Sequence, residues 1–207
     1  MSEKRKASTG VVHGRFQLLH KDHVKYIMAA KERCEQLVIG ICNPDPELTK
    51  YSEENPHRST AKANPFSYYE RYQMIKGTLL ELGVNPEEFD IVPFPINYPE
   101  LIFNYAPRHA KYYMTTYDEW GYEKRKKLEE IGCDIEVLWD VPLEQKGISG
   151  SDVRERIVKG QEWKSYVPEY VFDYIVRNHL DEKLKSLAIS KSLCLYESLT
   201  TAVIMSK

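Results

Sequence analysis

The sequence lacks most of what would mark an extracellular, membrane-spanning or nucleic-acid-coating chain. Its four cysteines, Cys34, Cys42, Cys133 and Cys194, form no C-x-x-C pair and have no histidines at zinc-finger spacing, so neither a zinc site nor a disulfide framework is indicated. They are expected to be reduced and buried. No run of about 18 apolar residues exists to span a bilayer. The stretch from Met1 to Thr9 is polar and basic, without the apolar segment of a secretory signal, and a cytoplasmic protein is expected. Charge of one sign is missing too. Lys and Arg number 29 against 31 Asp and Glu, for a formal net charge of -2, which gives no pull toward nucleic acid or an anionic membrane. Internal repeats and low-complexity tracts are absent.

What remains is an ordinary globular composition. Hydrophobic residues are 42% and charged residues 29% of 207, enough to bury a core in one α/β domain. The 15 tyrosines are many; each offers a flat ring with a polar tip, suited to stacking on bases or sugars as well as to packing. The run Lys124 to Lys127 precedes Glu129 and Glu130 and reads as a solvated helix face.

Apolar spacing gives the elements. Thr9–His13 is a short strand running into a turn at Gly14. Lys21–Arg33 carries Val24, Ile27, Met28 and Ala30 at helical spacing, and Gln36–Cys42 is a near-continuous apolar run, as in a strand buried on both faces. Asn43–Pro65 is long, polar and proline-punctuated, and reads as a mobile flap near a site. Ser67 with Glu70 forms a capping box, opening a helix that stops at Gly83. Strands follow at Asp90–Val92, Lys111–Thr115 and Glu136–Trp139, with an irregular stretch at Pro93–Pro107 and a helix from Asp118 to about Ile131. Further helices are predicted at Ser149–Lys159 and Pro168–Asn178. Alternating strands and helices imply a doubly wound parallel sheet of Rossmann-like type. One domain is expected over residues 1–180, with 181–207 as a tail or appendage.

Two segments carry chemistry. The first, Gly14-Arg15-Phe16-Gln17-Leu18-Leu19-His20-Lys21-Asp22-His23, sits where the first strand gives way to the first helix. At that point, on the carboxyl edge of the sheet, open α/β folds bind ligands. Gly14 lets the backbone approach a ligand, and the helix start presents N–H groups to a phosphate. His20 and His23 share a helix face, and with Lys21 they can hold a triphosphate. Two unrelated surface histidines, or half of a zinc site, are the competing readings of H-x-x-H by itself. The second segment, Ile148-Ser149-Gly150-Ser151-Asp152-Val153-Arg154, opens a late helix. Its hydroxyls and N–H groups form a further anion cradle, with Arg154 one turn in.

The first segment resembles the G-R-F-Q-P-x-H-x-G-H string of archaeal-type nicotinamide-mononucleotide adenylyltransferases, within the H-x-G-H nucleotidyltransferase superfamily. The second is similar to the I-S-G-T-x-I-R signature of the same superfamily. Asn64-Pro65-Phe66 with Glu70-Arg71 looks like its N-P-F-x-x-x-E-R helix start, and Trp163 with Val167-Pro168 like its W-x-x-x-V-P stretch, so the resemblance reaches about Asn178. It implies transfer of AMP from ATP to a small phosphorylated acceptor, nicotinamide mononucleotide first among them, with release of pyrophosphate. His20, His23, Lys21 and Arg154 would hold the triphosphate. Gly14, Arg15, Phe16, Asp22, Ser149, Gly150 and Ser151 would line the nucleotide slot, and Arg71, Phe103 and Tyr117 the acceptor. Mg²⁺ would be held through the phosphates rather than by protein ligands. Partners are then ATP or CTP and the acceptor, with homo-oligomerisation left open.

Departures from the string leave alternatives standing. Asp22 replaces the glycine of H-x-G-H, Leu18 replaces a proline, and the family's acceptor-stacking tryptophan is missing near Leu101–Phe103. Thr116–Tyr117 replaces a small Gly/Asn-type pair. Transfer of CMP, another acceptor such as a sugar or polyol phosphate, and nucleotide binding without turnover are the competing expectations.

Overall fold

The structure, a computed structural model, describes residues 5–45, 60, 63–145 and 147–189. Five parallel strands form one sheet in the order β3-β2-β1-β4-β5. They are β1 (Ala7–Gly14), β2 (Cys34–Cys42), β3 (Phe89–Phe94), β4 (Lys111–Thr116) and β5 (Asp134–Asp140). The helices are α1 (Lys21–Lys31), α2 (Tyr68–Glu81), α3 (Glu119–Glu130), α4 (Gly150–Val158) and α5 (Glu169–Arg177). The expected doubly wound sheet is the one that forms, and the predicted elements are present with ends shifted by a few residues. Residues 180–189 add a further helix, α6, whose Leu180 and Leu184 are buried with the main core. Most of the proposed flap, 46–59 and 61–62, lies outside the described residues, as does the chain after 189. No described helix is long and apolar enough to cross a membrane.

Side chains leave a strand alternately to its two faces, and β1 shows where each goes. Val12 joins the core under α1, α2, α4 and α5, while its neighbour Val11 joins a second core with Phe94, Ile102 and Leu128. α1 and α2 thus lie on one face of the sheet. The β3–β4 connection, with a 3₁₀ turn at Pro99–Asn104, and α3 cover the other. The chain reverses its winding direction between β1 and β4, which pair side by side. A crevice opens there at the carboxyl edge.

Helix ends follow local chemistry. Ser67 accepts from Glu70 N while the Glu70 carboxylate accepts from Ser67 N at 2.7 Å, completing the capping box. Gly83 takes φ +78 just past α2, as the sequence predicted for a helix stop. The late tryptophan is a packing residue: Trp163 meets Phe172 with ring centroids 4.8 Å apart.

Candidate active site

A cleft of about 790 Å³ lies over the carboxyl edge at the β1/β4 switch point. That is within the range of pockets for small ligands. The first turns of α1, α3 and α4 all contribute to its wall through Asp22, Gly121 and Gly150. α3 and α4 have side-chain caps. Asp118 accepts from Gly121 N, and Ser149 accepts from Asp152 N while the Asp152 carboxylate accepts from Ser149 N. α1 differs. His20 occupies its cap position, and its own side chain makes no capping hydrogen bond. The positive end of its helix dipole borders the cleft, which His20, Asp22 and His23 line.

Above that end the rings of His20 and His23 stack with centroids 3.7 Å apart, and Phe16 meets His23 edge-on at 5.1 Å. Phe16 has φ +50, and its ring folds back over Gly14, where a Cβ would stand 2.9 Å from it. Gly14 therefore makes room for Phe16, which modifies the sequence reading that it admits a ligand. Opposite, Gly150 abuts the backbone at Gln17, and a Cβ there would fall 2.7 Å from Gln17 O. This contact brings the two predicted motifs together into one wall. Arg154 is 9% exposed and donates to Ser151 Oγ at 3.1 Å. Burial lowers its guanidinium pKa to about 10, which leaves it charged at neutral pH.

Most of the predicted residues meet in this cleft: Gly14, Arg15, Phe16, His20, Asp22, His23, Tyr117, Ser149, Gly150, Ser151 and Arg154 all line it. Three do not. Lys21 is exposed and outside the wall, because the first helical residue projects away from the face that His20 and His23 share. Phe103 packs against the second core, with the Arg108 guanidinium 4.0 Å from its ring centroid. Arg71 is 1% exposed, and its guanidinium donates to the carbonyls of Ser67, Arg15, Cys42 and Asn43 at 2.7 to 3.1 Å. Those bonds leave no fork for an acceptor phosphate. They instead pin α2 to the ends of β1 and β2. Gln17 works alongside, pairing both ways with the Phe66 backbone at 2.9 Å, so the G-R-F-Q and N-P-F strings are halves of one clamp.

The same family of nucleotide enzymes emerges from comparison with known proteins. The model of the cytidylyltransferase-like family matches residues 11–156. The chain belongs to the cytidylyltransferase-like family. It is a nucleotidyltransferase. It is 42% identical to a phosphonoformate cytidylyltransferase of Streptomyces viridochromogenes over 90% of this chain and 100% of that protein. It is 26% identical to a nicotinamide-nucleotide adenylyltransferase of Saccharolobus solfataricus over 87% of this chain and 96% of that one. Among solved structures, a bifunctional NMN adenylyltransferase/ADP ribose pyrophosphatase from Francisella tularensis, complexed with AMP and a manganese ion, superposes with a TM-score of 0.63 at 17% identity. That likeness covers 95% of this chain and 56% of the larger one, and it supports the shared fold.

The cytidylyltransferase-like cleft also holds residues that sequence reasoning passed over. Lys124 lines it, half-buried, whereas Arg125, Lys126 and Lys127 are exposed, so one member of the presumed solvated face turns inward. Lys25 lines it near the Trp139 ring, 5.4 Å from the centroid. Trp139 is placed by a register shift that sets Thr115 opposite it and skips Leu138. Asn43, with φ +48 at the end of β2, lies within reach of Asn97 Nδ2 at 3.4 Å, and both border the cleft. Its position after a buried strand was a usable signal; Lys124 gave none. His13 lines the cleft as well. No group of three or more His, Cys, Asp or Glu side chains able to hold a metal occurs among the described residues.

Proposed function

We propose that the protein transfers CMP from CTP to a small anionic phosphonate or phosphate, phosphonoformate being the first to try, with release of pyrophosphate. The observation that carries this is the 42% identity to a phosphonoformate cytidylyltransferase across the whole of that relative. The adenylyltransferase relative stands at 26%. The comparison thus favours CMP transfer over the AMP transfer to nicotinamide mononucleotide that the motifs first implied.

The chemistry needs little from the protein beyond placement and charge. An ionised oxygen of the acceptor attacks the α-phosphorus in line, the bond to the bridging α–β oxygen breaks, and pyrophosphate departs with that oxygen. Phosphonate oxygen is already a nucleophile at neutral pH, so no base or covalent intermediate is required. In this reading His20 and His23, at the start of α1, face the α-phosphate and the bridging oxygen where negative charge grows. Arg154 with Ser149, Ser151 and the α4 amides takes the β- and γ-phosphates. Arg15, Phe16 and Tyr117 border the nucleoside and acceptor. A divalent cation, when bound through the phosphates, neutralises their charge.

The test is pyrophosphate release with CTP, ATP, GTP and UTP, each against phosphonoformate, nicotinamide mononucleotide and glycerol 3-phosphate, with Mg²⁺ or Mn²⁺. Turnover with CTP and phosphonoformate above every other pair is the expected result. A preference for ATP with nicotinamide mononucleotide would return the protein to the adenylyltransferase reading, and nucleotide binding without release would remove the activity altogether.

A further inference from the structure

His13 stands one residue before Gly14 at the end of β1. Because Val12 points into the core under α1, His13 points to the opposite face, the side of α3 and the β3–β4 connection. Its ring is 4% exposed, lies flat on Phe94 at 4.7 Å with 14° between planes, and lines the cleft. The fold provides the seat. Gly40 is the register partner of His13 on β2, and a Cβ on Gly40 would fall 2.5 Å from the Phe94 ring. Neither Nδ1 nor Nε2 has a hydrogen-bond partner among the described residues. Buried polar atoms in native structures are nearly always paired, so two orphans on one ring that borders a cleft mark a place where a ligand supplies the partner.

The surroundings say what kind. Burial, and after it the charge of Lys124, lower the His13 pKa well below 6.5, so the ring is neutral with one N–H to give. Lys124 and Asn97 border the same cleft, and the cationic field of Lys124 favours an anion. The histidine pair and Arg154 hold the other side, around α1 and α4. We infer that His13 is a specificity-determining residue, donating its ring N–H to a carboxylate at the non-transferring end of the acceptor. Acceptors bearing a carboxylate beside the phosphonate are thereby selected over those without one. The assignment rests on the cleft joining a nucleotide to a small anionic acceptor, as proposed above.

The experiment is calorimetric titration of phosphonoformate and of methylphosphonate into the protein with Mg²⁺ and a CTP analogue carrying a methylene bridge between the α- and β-phosphorus. The wild type is expected to bind phosphonoformate at least about tenfold more tightly. His13→Phe keeps a ring over Phe94 and removes the donor; it should abolish that preference while leaving methylphosphonate and the CTP analogue bound as before. His13→Gln, which restores a donor, should recover part of it. In the unmodified protein, phosphonoformate but not methylphosphonate should shift the His13 ring nitrogen resonances, a reading that survives any folding failure of the variants. Equal affinities in the wild type, an undiminished preference in His13→Phe, or unmoved resonances overturn the inference. So would nicotinamide mononucleotide binding that alone depends on His13. Pyrophosphate release judges the reaction separately: binding preference without release would leave His13 assigned and remove the transferase reading.

Discussion

The two sides of the cleft are built by different means. On the α1 and α4 side, most wall residues belong to one of two contiguous strings whose spacing already declares a helix start, and the strings meet because Gly150 fits against Gln17. On the other side, His13, Asn97 and Lys124 come from three separate elements, and each of them is unremarkable in its own segment. The first side is a local device repeated twice: a helix start with a hydroxyl or imidazole beside its first turn, the kind of place where folds bind anions. The second is assembled only by tertiary structure. A nucleotide grip can be shared by relatives that bind different acceptors. The acceptor corner is where such relatives are free to differ.

The largest expected effect sharpens this contrast on the local side. His20→Ala or His23→Ala should lower kcat by roughly 100- to 1,000-fold, the usual cost of losing one donor to developing charge, with little change in melting temperature. The stacked pair sits at the start of α1 and lines the cleft. A variant with near-normal kinetics and a collapsed melting temperature would make that histidine a packing residue.

Next in size is Arg71, which links the two sides without lining either. Removing its guanidinium would leave the buried carbonyl of Cys42 and the part-buried carbonyls of Arg15 and Asn43 without this donor, while Ser67 O keeps the Arg71 backbone N–H. Each such loss is worth about 1–3 kcal/mol before relaxation, so Arg71→Met should lower unfolding free energy by roughly 3 kcal/mol in total. Chemical denaturation checks this. A variant of unchanged stability whose KM for the acceptor rises steeply would instead place Arg71 on a substrate, as the family resemblance implied.

These cases show what the sequence carries. Element order, the capping box of α2 and the Gly83 stop were legible because each depends on residues within one turn of each other. Arg71 was read as an acceptor residue because an N-P-F-x-x-x-E-R string gives its position on a helix but not the four carbonyls that surround it. Lys21 lay in the right motif on the wrong face. Lys124 was hidden among like charges, and only the packing of α3 against the sheet separates it from Arg125, which pairs with Glu129 at 2.8 Å. His13 was read only as the end of a strand, and nothing local says that its nitrogens stay unpaired.

A smaller effect distinguishes the His13 side by pH. The folded-state pKa of His13 is depressed below its unfolded value near 6.5, so below about pH 6.5 the unfolded chain takes up a proton that the folded one refuses. Stability contributed by the neutral ring is thus present above that pH and lost as pH falls through the window beneath it, by up to about 1.4 kcal/mol per unit. His13→Phe should flatten the acid limb of the stability curve relative to wild type. Parallel acid limbs in the two proteins would mean that His13 protonates in the folded state as readily as in water.

The smallest expected effect concerns Asp22, an acidic side chain on the otherwise cationic α1 side. It lies in the first turn of α1, exposed and lining the cleft, and a Cβ on Gly147 would overlap its carboxylate. Asp22 does not cap the helix, since His20 holds that position; its local benefit is the helix dipole, about 0.3–1 kcal/mol. Against a bound triphosphate the same charge is repulsive. At about 7 Å in water-like surroundings the repulsion is worth ~0.6 kcal/mol, or about threefold in affinity. Asp22→Asn keeps the shape and removes the charge. Without divalent cation it should bind CTP a few-fold more tightly, with a melting temperature slightly below wild type. With Mg²⁺, which already neutralises much of the phosphate charge, the two proteins should converge. Titration of CTP and ATP into both, with and without Mg²⁺, decides the matter. Weaker Mg²⁺-dependent binding in Asp22→Asn would instead make Asp22 a contact for the cation, and an altered CTP-to-ATP ratio would make it a reader of the base. Either result would move part of the specificity from the assembled side of the cleft to the local one.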